Sequence, residues 1–514
     1  MQHAIRATRA VSAMALLVLA PAAGALTLER VALSGEEAPG TGGATWLGFG
    51  VPVTNDAQGV AFTASLEQMG AVDASNDLGL WKGALGALAL VERQGSPADG
   101  TAGLWDVAIA PPSLNDAGGV AFRANVSDPS AVGVWYEGPG GLAPAALSGS
   151  QADGLPAGVD TAGPLSEPAF NDAGQLAFHG GLAGAGVTSA NDRAVWAGGA
   201  AGLVLAAREG DLAPGAGGAA YVGFEGTLVD GSGGVGFRAT LDDGGTGLFA
   251  GPAASLQLAA RDGSPAPGVP GAEFASFIAP DLGAGGALAF HAGLASGVGG
   301  VGAGDDRGVW AGAPGALALV ARESDAAPGG GVFESFSSPL VNAAGDVVFR
   351  GFLDAGTGLF LERGGALGAV ARSGGAAPGT DLGLGEASFA AFSDWALTEA
   401  GQVAFEATLA SGVGGVTGVN DTGLWIAAPG GATLLVMREG NAIEIATGDV
   451  AVVASIDFFG DSAARGRGAT DHSIAFGVTF SDGREAVFLP EPGATALLWG
   501  ALLLAAGAFR RGRR

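Results

Sequence analysis

The sequence predicts an all-β protein: an eight-bladed β-propeller of four-stranded blades, closed by joining its N- and C-terminal strands. Three observations predict it. First, the phrase "LNDAGGVAF" (Leu114–Phe122) returns as "FNDAGQLAF" (Phe170–Phe178), and its echoes end at Phe62, Phe122, Phe178, Phe237, Phe290, Phe349, Phe405 and Phe476. The separations are 60, 56, 59, 53, 59, 56 and 71 residues, which makes eight units. Second, each unit holds four short apolar runs separated by Gly, Pro, Asn and Asp, with no convincing helical period. Third, the chain is out of phase with its own repeat. It opens on "LTLERVALSGEEAPG" (Leu26–Gly40), a fourth strand and its closing turn with no strands before it, and ends on "REAVFLP" (Arg484–Pro490), a third strand with no fourth. Joining the two completes one blade and removes exposed sheet edges.

The N-terminus reads as a signal peptide, residues 1–25. Arg6 and Arg9 precede the apolar run Val11 to Ala20, and "AGA" (Ala23–Ala25) offers the small residues of a cleavage site. The competing reading is a buried N-terminal helix. The body, 26–489, carries the repeats. The fifth unit shows them best: strands at Glu273–Leu282, Ala287–Leu294, Arg307–Gly312 and Ala316–Ser324, then the turn "DAAPGGG". "NDAG" is the turn from first to second strand, because Asn and Asp bond their own backbone and Gly accepts positive φ. The motif Phe is one core anchor. The aromatic of the third strand (Trp81, Trp135, Trp196, Phe249, Trp310, Phe360, Trp425, Phe488) is another.

The loop from second to third strand is long in units one, three, five and seven, as in "LASGVGGVGAGDDRGVW" (Leu294–Trp310), and short in the even units, as in "LDAGTGLF" (Leu353–Phe360). An alternation closes on itself only with an even number of blades.

The C-terminal segment, 490–514, reads "PEPGATALLWGALLLAAGAFRRGRR". Ala494 to Phe509 is 16 residues without a charge, and Arg510, Arg511, Arg513 and Arg514 follow. At about 1.5 Å per residue the helix is short for a hydrocarbon core of about 30 Å, yet it spans with thinning or snorkelling, Arg cluster inside. Pro490, Glu491 and Pro492, then the apolar helix, then the basic tip, resemble the PEP-CTERM sorting signal of Gram-negative bacteria. That resemblance implies processing by an exosortase, a transient or stable membrane anchor, and a place at the cell surface or outside it, often beside extracellular polysaccharide and biofilm. The rival Leu-Pro-x-Thr-Gly sortase signal is broken by Pro492. The body resembles bacterial surface proteins with a tandem Asn-x-x-Gly…Ala-Phe repeat, through "NDAGGVAF", "NDAGQLAF", "NAAGDVVF" and "TEAGQVAF".

Composition narrows the chemistry. There are no cysteines among 514 residues, so no disulfide or thiolate site exists, and 4 His and 2 Tyr leave a thin acid–base kit. Without its two ends the body has 17 bases against 49 acids, a net of −32. Such a surface repels nucleic acid and anionic lipid and attracts divalent cations.

Four sets of residues are candidates for chemistry. Arg93, Arg208, Arg261, Arg322, Arg372 and Arg438 recur on the fourth strand; they form either a cationic ring for polyanions or structural pairs with a neighbouring blade's acid. His179 and His291 share one position after the motif Phe, which is Glu406 in the seventh unit, and together they could meet a metal if that position faced the channel. The odd-unit loops carry Asn76–Asp77, Asn191–Asp192, Asp305–Asp306 and Asn420–Asp421. Of these, Asp77, Asp192, Asp305, Asp306 and Asp421 are candidate Ca²⁺ ligands through hard oxygens, although none has the spacing of a known loop and such pairs also start turns. The eighth unit departs most from the pattern, and its Asp457, Asp461, Arg465, Arg467 and His472 mark a candidate unique site. No catalytic residues and no cofactor other than Ca²⁺ are assigned. The reading that follows is an exported, non-enzymatic binding or structural protein for glycans or matrix polymer; the alternative is a polysaccharide hydrolase or lyase on the same scaffold.

Overall fold

Each strand starts and stops where the sequence places a Gly-rich turn, so the sheets follow the repeat closely. The computed structural model describes residues 27–108, 111–127, 130–381, 383–429, 431–460 and 468–491. Eight antiparallel sheets follow one another along the chain. In the fifth, the strands are Phe274–Leu282, Leu288–Leu294, Arg307–Gly312 and Ala318–Arg322, each within two residues of its expected bounds.

The ring closes as the phase of the repeat requires. Leu28–Leu33 lies antiparallel to Glu485–Pro490, with Leu28 opposite Pro490 and Leu33 opposite Ala486. The last sheet therefore takes its outer strand from the N-terminal side, and Ala442–Ala446 adds a fifth strand at its other edge. Pro490 is buried at the end of its strand, and the N–H of Glu491 donates to the Thr27 carbonyl at 2.8 Å. The rest of the sorting segment, from Pro492, and the signal segment lie outside the described residues, and so does the expected apolar helix. No described helix is long and apolar enough to cross a membrane.

The aromatic anchors do what their positions imply. Trp81, Trp135, Trp196, Trp310 and Trp425 are all buried, and Phe178 stacks on Trp196 with ring centroids 5.5 Å apart. Each indole N–H donates to a carbonyl of the turn that precedes its blade: Pro39, Asp99, Asp153, Pro267 and Pro378, at 2.8–3.1 Å. In blades four and six the equivalent Phe249 and Phe360 keep the packing and have no N–H to donate.

The Asn-Asp turn does more than expected. Its own-backbone bond is present, as from Gly119 N–H to Asn115 Oδ1 at 2.7 Å. The same side chain also joins blades. Asn55 Nδ2 donates to the Asn115 carbonyl, Asn171 Nδ2 to that of Asp230, and Asn342 Nδ2 to that of Thr398, at 2.7–3.1 Å. The Asp accepts from the preceding blade: Asp116 Oδ1 from Asp56 N–H and Asp172 Oδ1 from Asp116 N–H, both at 2.9 Å. Thr54 Oγ1 donates to Ser473 Oγ at 2.8 Å and carries the chain of bonds across the closure.

Candidate functional site

The first strand of each blade faces the centre of the ring, because residues of five consecutive blades share one cavity there. Its volume is 660 Å³, and its walls include Glu225, Arg238, Ile278, Asp281, Ser393 and Asp394. That volume falls among those of small-molecule sites.

The wall is built from an irregularity repeated in blades four to seven. In each, two residues of the first strand face one residue of the second, which is the definition of a β-bulge. The register slips between Glu225 and Leu228, Ile278 and Asp281, Ser337 and Leu340, and Phe392 and Trp395. The extra residues are Gly226–Thr227, Ala279–Pro280, Ser338–Pro339 and Ser393–Asp394; all but Thr227 line the cavity. Ala279 and Ser338 hold φ of +46° and +45°, at the position where Gly226 holds +61°. Side-chain-bearing residues in this region cost about 1–3 kcal/mol each and cluster at functional sites. The bulges turn unpaired backbone groups and Ser and Asp side chains toward the channel.

Behind the bulges lies a layer of charge at the position after the motif Phe. Arg238 pairs with Glu225 and donates to the Phe277 carbonyl of the next blade at 3.0 Å. Arg350 donates likewise to the Phe392 carbonyl at 2.7 Å and lies 5.3 Å from the Trp395 ring centroid. Glu406 accepts from Ser393 Oγ at 2.7 Å. Burial, with the nearby charges of Asp394, Asp457 and Glu439, holds the Glu406 carboxyl above the usual range. Burial does the same to Asp394, against the pull of Arg350.

The two histidines do not meet. His179 Nδ1 lies 2.9 Å from Thr227 Oγ1, while His291 is buried against Phe336, and burial pushes it down to about 4, so it is neutral at pH 7. Among the described residues no group of three or more His, Asp or Glu is placed to hold a metal. The loop residues Asp77, Asp192, Asp305, Asp306 and Asp421 are dispersed over four blades. Asp305 closes its own loop by accepting from Gly302 N–H at 2.7 Å, as Asn191 does from Thr188 N–H at 2.7 Å. The N–H groups of Asp192, Asp306 and Thr422, the last beside Asp421, donate to Glu209, Glu323 and Glu439 at 3.1 Å.

Five of the six recurring arginines bond within their own blade rather than to a neighbouring blade's acid, and Arg261 and Arg322 pair there with Asp243 and Asp305 at 2.6 and 2.7 Å. Arg93, Arg208, Arg322 and Arg438 each donate Nε–H to the carbonyl of the Asn or Asp at the end of their own blade's long loop, at 2.7–3.2 Å. The link lies within a blade because loop and fourth strand end at the same edge. In the eighth unit Asp457 reaches the field of Glu406, and His472 lies 3.3 Å from Asp56 of blade one, whereas Asp461, Arg465 and Arg467 are outside the described residues. The sequence reading missed the bulges, of which Pro280 and Pro339 inside strands were the visible sign.

Solved structures similar to this chain share little of its sequence. The β-propeller domain of the Trilobed protease from Pyrococcus furiosus is 9% identical over 77% of this chain and 96% of its own, with a TM-score of 0.37. The Dos1 propeller is 10% identical over 89% and 94%, with a TM-score of 0.39. The GH74 xyloglucanase from Xanthomonas campestris is 14% identical over 80% of this chain and 55% of its own, with a TM-score of 0.36. No curated protein matches the chain. A family model matches residues 27–356 and 352–496, and on that span the chain belongs to the family of unknown function DUF7453.

Proposed function

We propose that this is an exported protein of the bacterial surface that binds a carbohydrate chain of the extracellular matrix in the channel cleft. The observation that carries the reading is the cleft itself, 660 Å³ walled by four successive bulges. Its surface suits a sugar, which has an apolar ring face and a rim of hydroxyls. Ile278, 52% exposed, with Pro280 and Pro339 offers the apolar side; Ser393, Asp394 and the bulged backbone offer hydrogen-bond partners. The surface address rests on the Pro490-Glu491-Pro492 segment and the basic tip, through which an exosortase-type enzyme would act. A glycan array with the purified protein, with and without chelator, tests the reading. Retention of a glycan by the wild type and its loss in Asp394→Ala is expected; no retained glycan would refute it.

A second reading, hydrolysis of the bound chain, is favoured by one observation: Asp394 in the cleft wall and Glu406 behind it are both held toward their protonated forms, as a general acid requires. Release of reducing ends from a bound glycan, abolished in Asp394→Asn, would replace simple binding by this chemistry.

A further inference from the structure

A second cavity, of 360 Å³, is lined by Gly48, Gly50, Thr63, Ser65 and Glu92 of blade one and by Glu485 of the closing blade. Glu92 is the anomaly. It is 4% exposed, and its Oε2 has no hydrogen-bond partner. The register assigns its equivalents in the other blades: Ala32, Ala146, Ala207, Ala260, Ala321, Ala371 and Met437. All seven are buried or half-buried and apolar. A carboxyl thus stands where the fold otherwise uses alanine between packed sheets. Burying it without a compensating partner is strongly unfavourable.

The opposite wall is made to admit oxygen. A Cβ on Gly48 would lie 2.8 Å from Glu485 Oε2, and one on Gly50 would lie 2.4 Å from Thr63 Oγ1. The absent side chains leave room that these two oxygens occupy. In blades four to seven the equivalents of Gly50 are Glu225, Ile278, Ser337 and Ser393, so this opening is not a general property of the repeat. Glu485 is already fixed, accepting from Phe49 N–H at 2.9 Å across the seam.

We infer that this cavity is a site for a hard divalent cation of the Ca²⁺ class, bound by the carboxylates of Glu92 and Glu485 with the hydroxyls of Thr63 and Ser65. Carboxylate and hydroxyl oxygens without nitrogen or sulfur are the donor set such a cation takes. One ligand comes from blade one and one from the closing blade, so the ion ties the ring across its seam. The inference is independent of what the channel binds.

The test is the melting temperature of the full-length protein in EDTA and in CaCl₂, with calorimetric titration of Ca²⁺ alone. The wild type is expected to melt several degrees higher in Ca²⁺ and to titrate at this site. Glu92→Gln and Glu485→Gln should lose the shift and the heat, while Asp192→Asn in a distant loop should keep both. Glu92→Ala installs the residue of six other blades; it should melt no lower than wild type in EDTA and ignore Ca²⁺, which keeps the test decisive if the amide variants fold poorly. A wild type indifferent to Ca²⁺, or a shift that survives in Glu92→Ala, overturns the assignment.

Discussion

Replacing Asn171 by alanine separates two roles of the repeated turn. Asn171 is 6% exposed; its Nδ2 donates to the Asp230 carbonyl of the next blade at 2.7 Å, and its Oδ1 accepts from Gln175 N–H at 2.8 Å. Truncation leaves the Gln175 N–H unpaired, at about 1–3 kcal/mol, and removes one of the two bonds of the Asp230 carbonyl, which keeps the Gly233 N–H at 3.1 Å, at about 1 kcal/mol, so Asn171→Ala should cost about 2–4 kcal/mol. Its neighbour Asp172 accepts from Asp116 N–H at 2.9 Å in an exposed setting, where a lost bond costs less, and Asp172→Ala should cost about 0.5–1 kcal/mol. Asn171→Asp keeps an acceptor for the Gln175 N–H, as the equivalent Asp230 provides for Gly234 N–H in blade four, but has no Nδ2–H to donate. If Asn171 served only its own turn, Asn171→Asp would cost little; if it stitches blades, Asn171→Asp must cost a large part of what Asn171→Ala costs. Equilibrium urea unfolding, comparing midpoints at unchanged slope, measures this. An Asn171→Asp midpoint equal to wild type, or an Asp172→Ala variant less stable than Asn171→Ala, would refute the interblade role.

Three other outcomes are expected. A chain starting at Gly35, lacking Leu28–Leu33, should lose monodispersity in size-exclusion chromatography with light scattering, and a peptide of residues 27–34 should restore it; an unaltered monomer would contradict closure by that strand. Trp310→Phe, which forfeits the 2.8 Å bond to Pro267 but keeps the anchor that blades four and six use, should cost about 1 kcal/mol, against about 3–5 kcal/mol for Trp310→Ala, both read from chemical denaturation. Burial, then the adjacent Asp192, raises Glu209 from 4.5 to about 6; the folded chain therefore holds this proton more tightly than the unfolded one, and the contribution present below pH 4.5 is lost as pH rises through about 6. Melting curves across that window should show the decline, reduced in Glu209→Gln.

What the sequence made legible was periodic or local. The motif Phe, the third-strand aromatics and the Gly turns recur at fixed places in the unit, so their spacing alone set strand order, and the orphan strand Leu28–Leu33 announced its partner by being out of phase. What stayed hidden depends on pairs that no spacing rule reports. The second partner of Asn171 lies 59 residues away, in a turn whose sequence gives no hint of a shared bond. The carbonyl held by Arg208 belongs to Asn191, in a loop 17 residues back, where a search for acids looks past the backbone. A bulge is a count of two residues against one, visible only once the register is known. Glu92 is the exception: stacking the eight fourth strands would have shown one acid in a column of six alanines and a methionine.

The closing ladder also sets how the ring responds to tension. Leu28 and Pro490 sit opposite one another at the same end of two antiparallel strands. A load that draws these two residues apart peels the ladder from that end, breaking its hydrogen bonds in succession rather than sharing the force among them as shear would. Pulled there, the molecule is a zipper, and it yields at blade eight while the other seven sheets carry almost no strain.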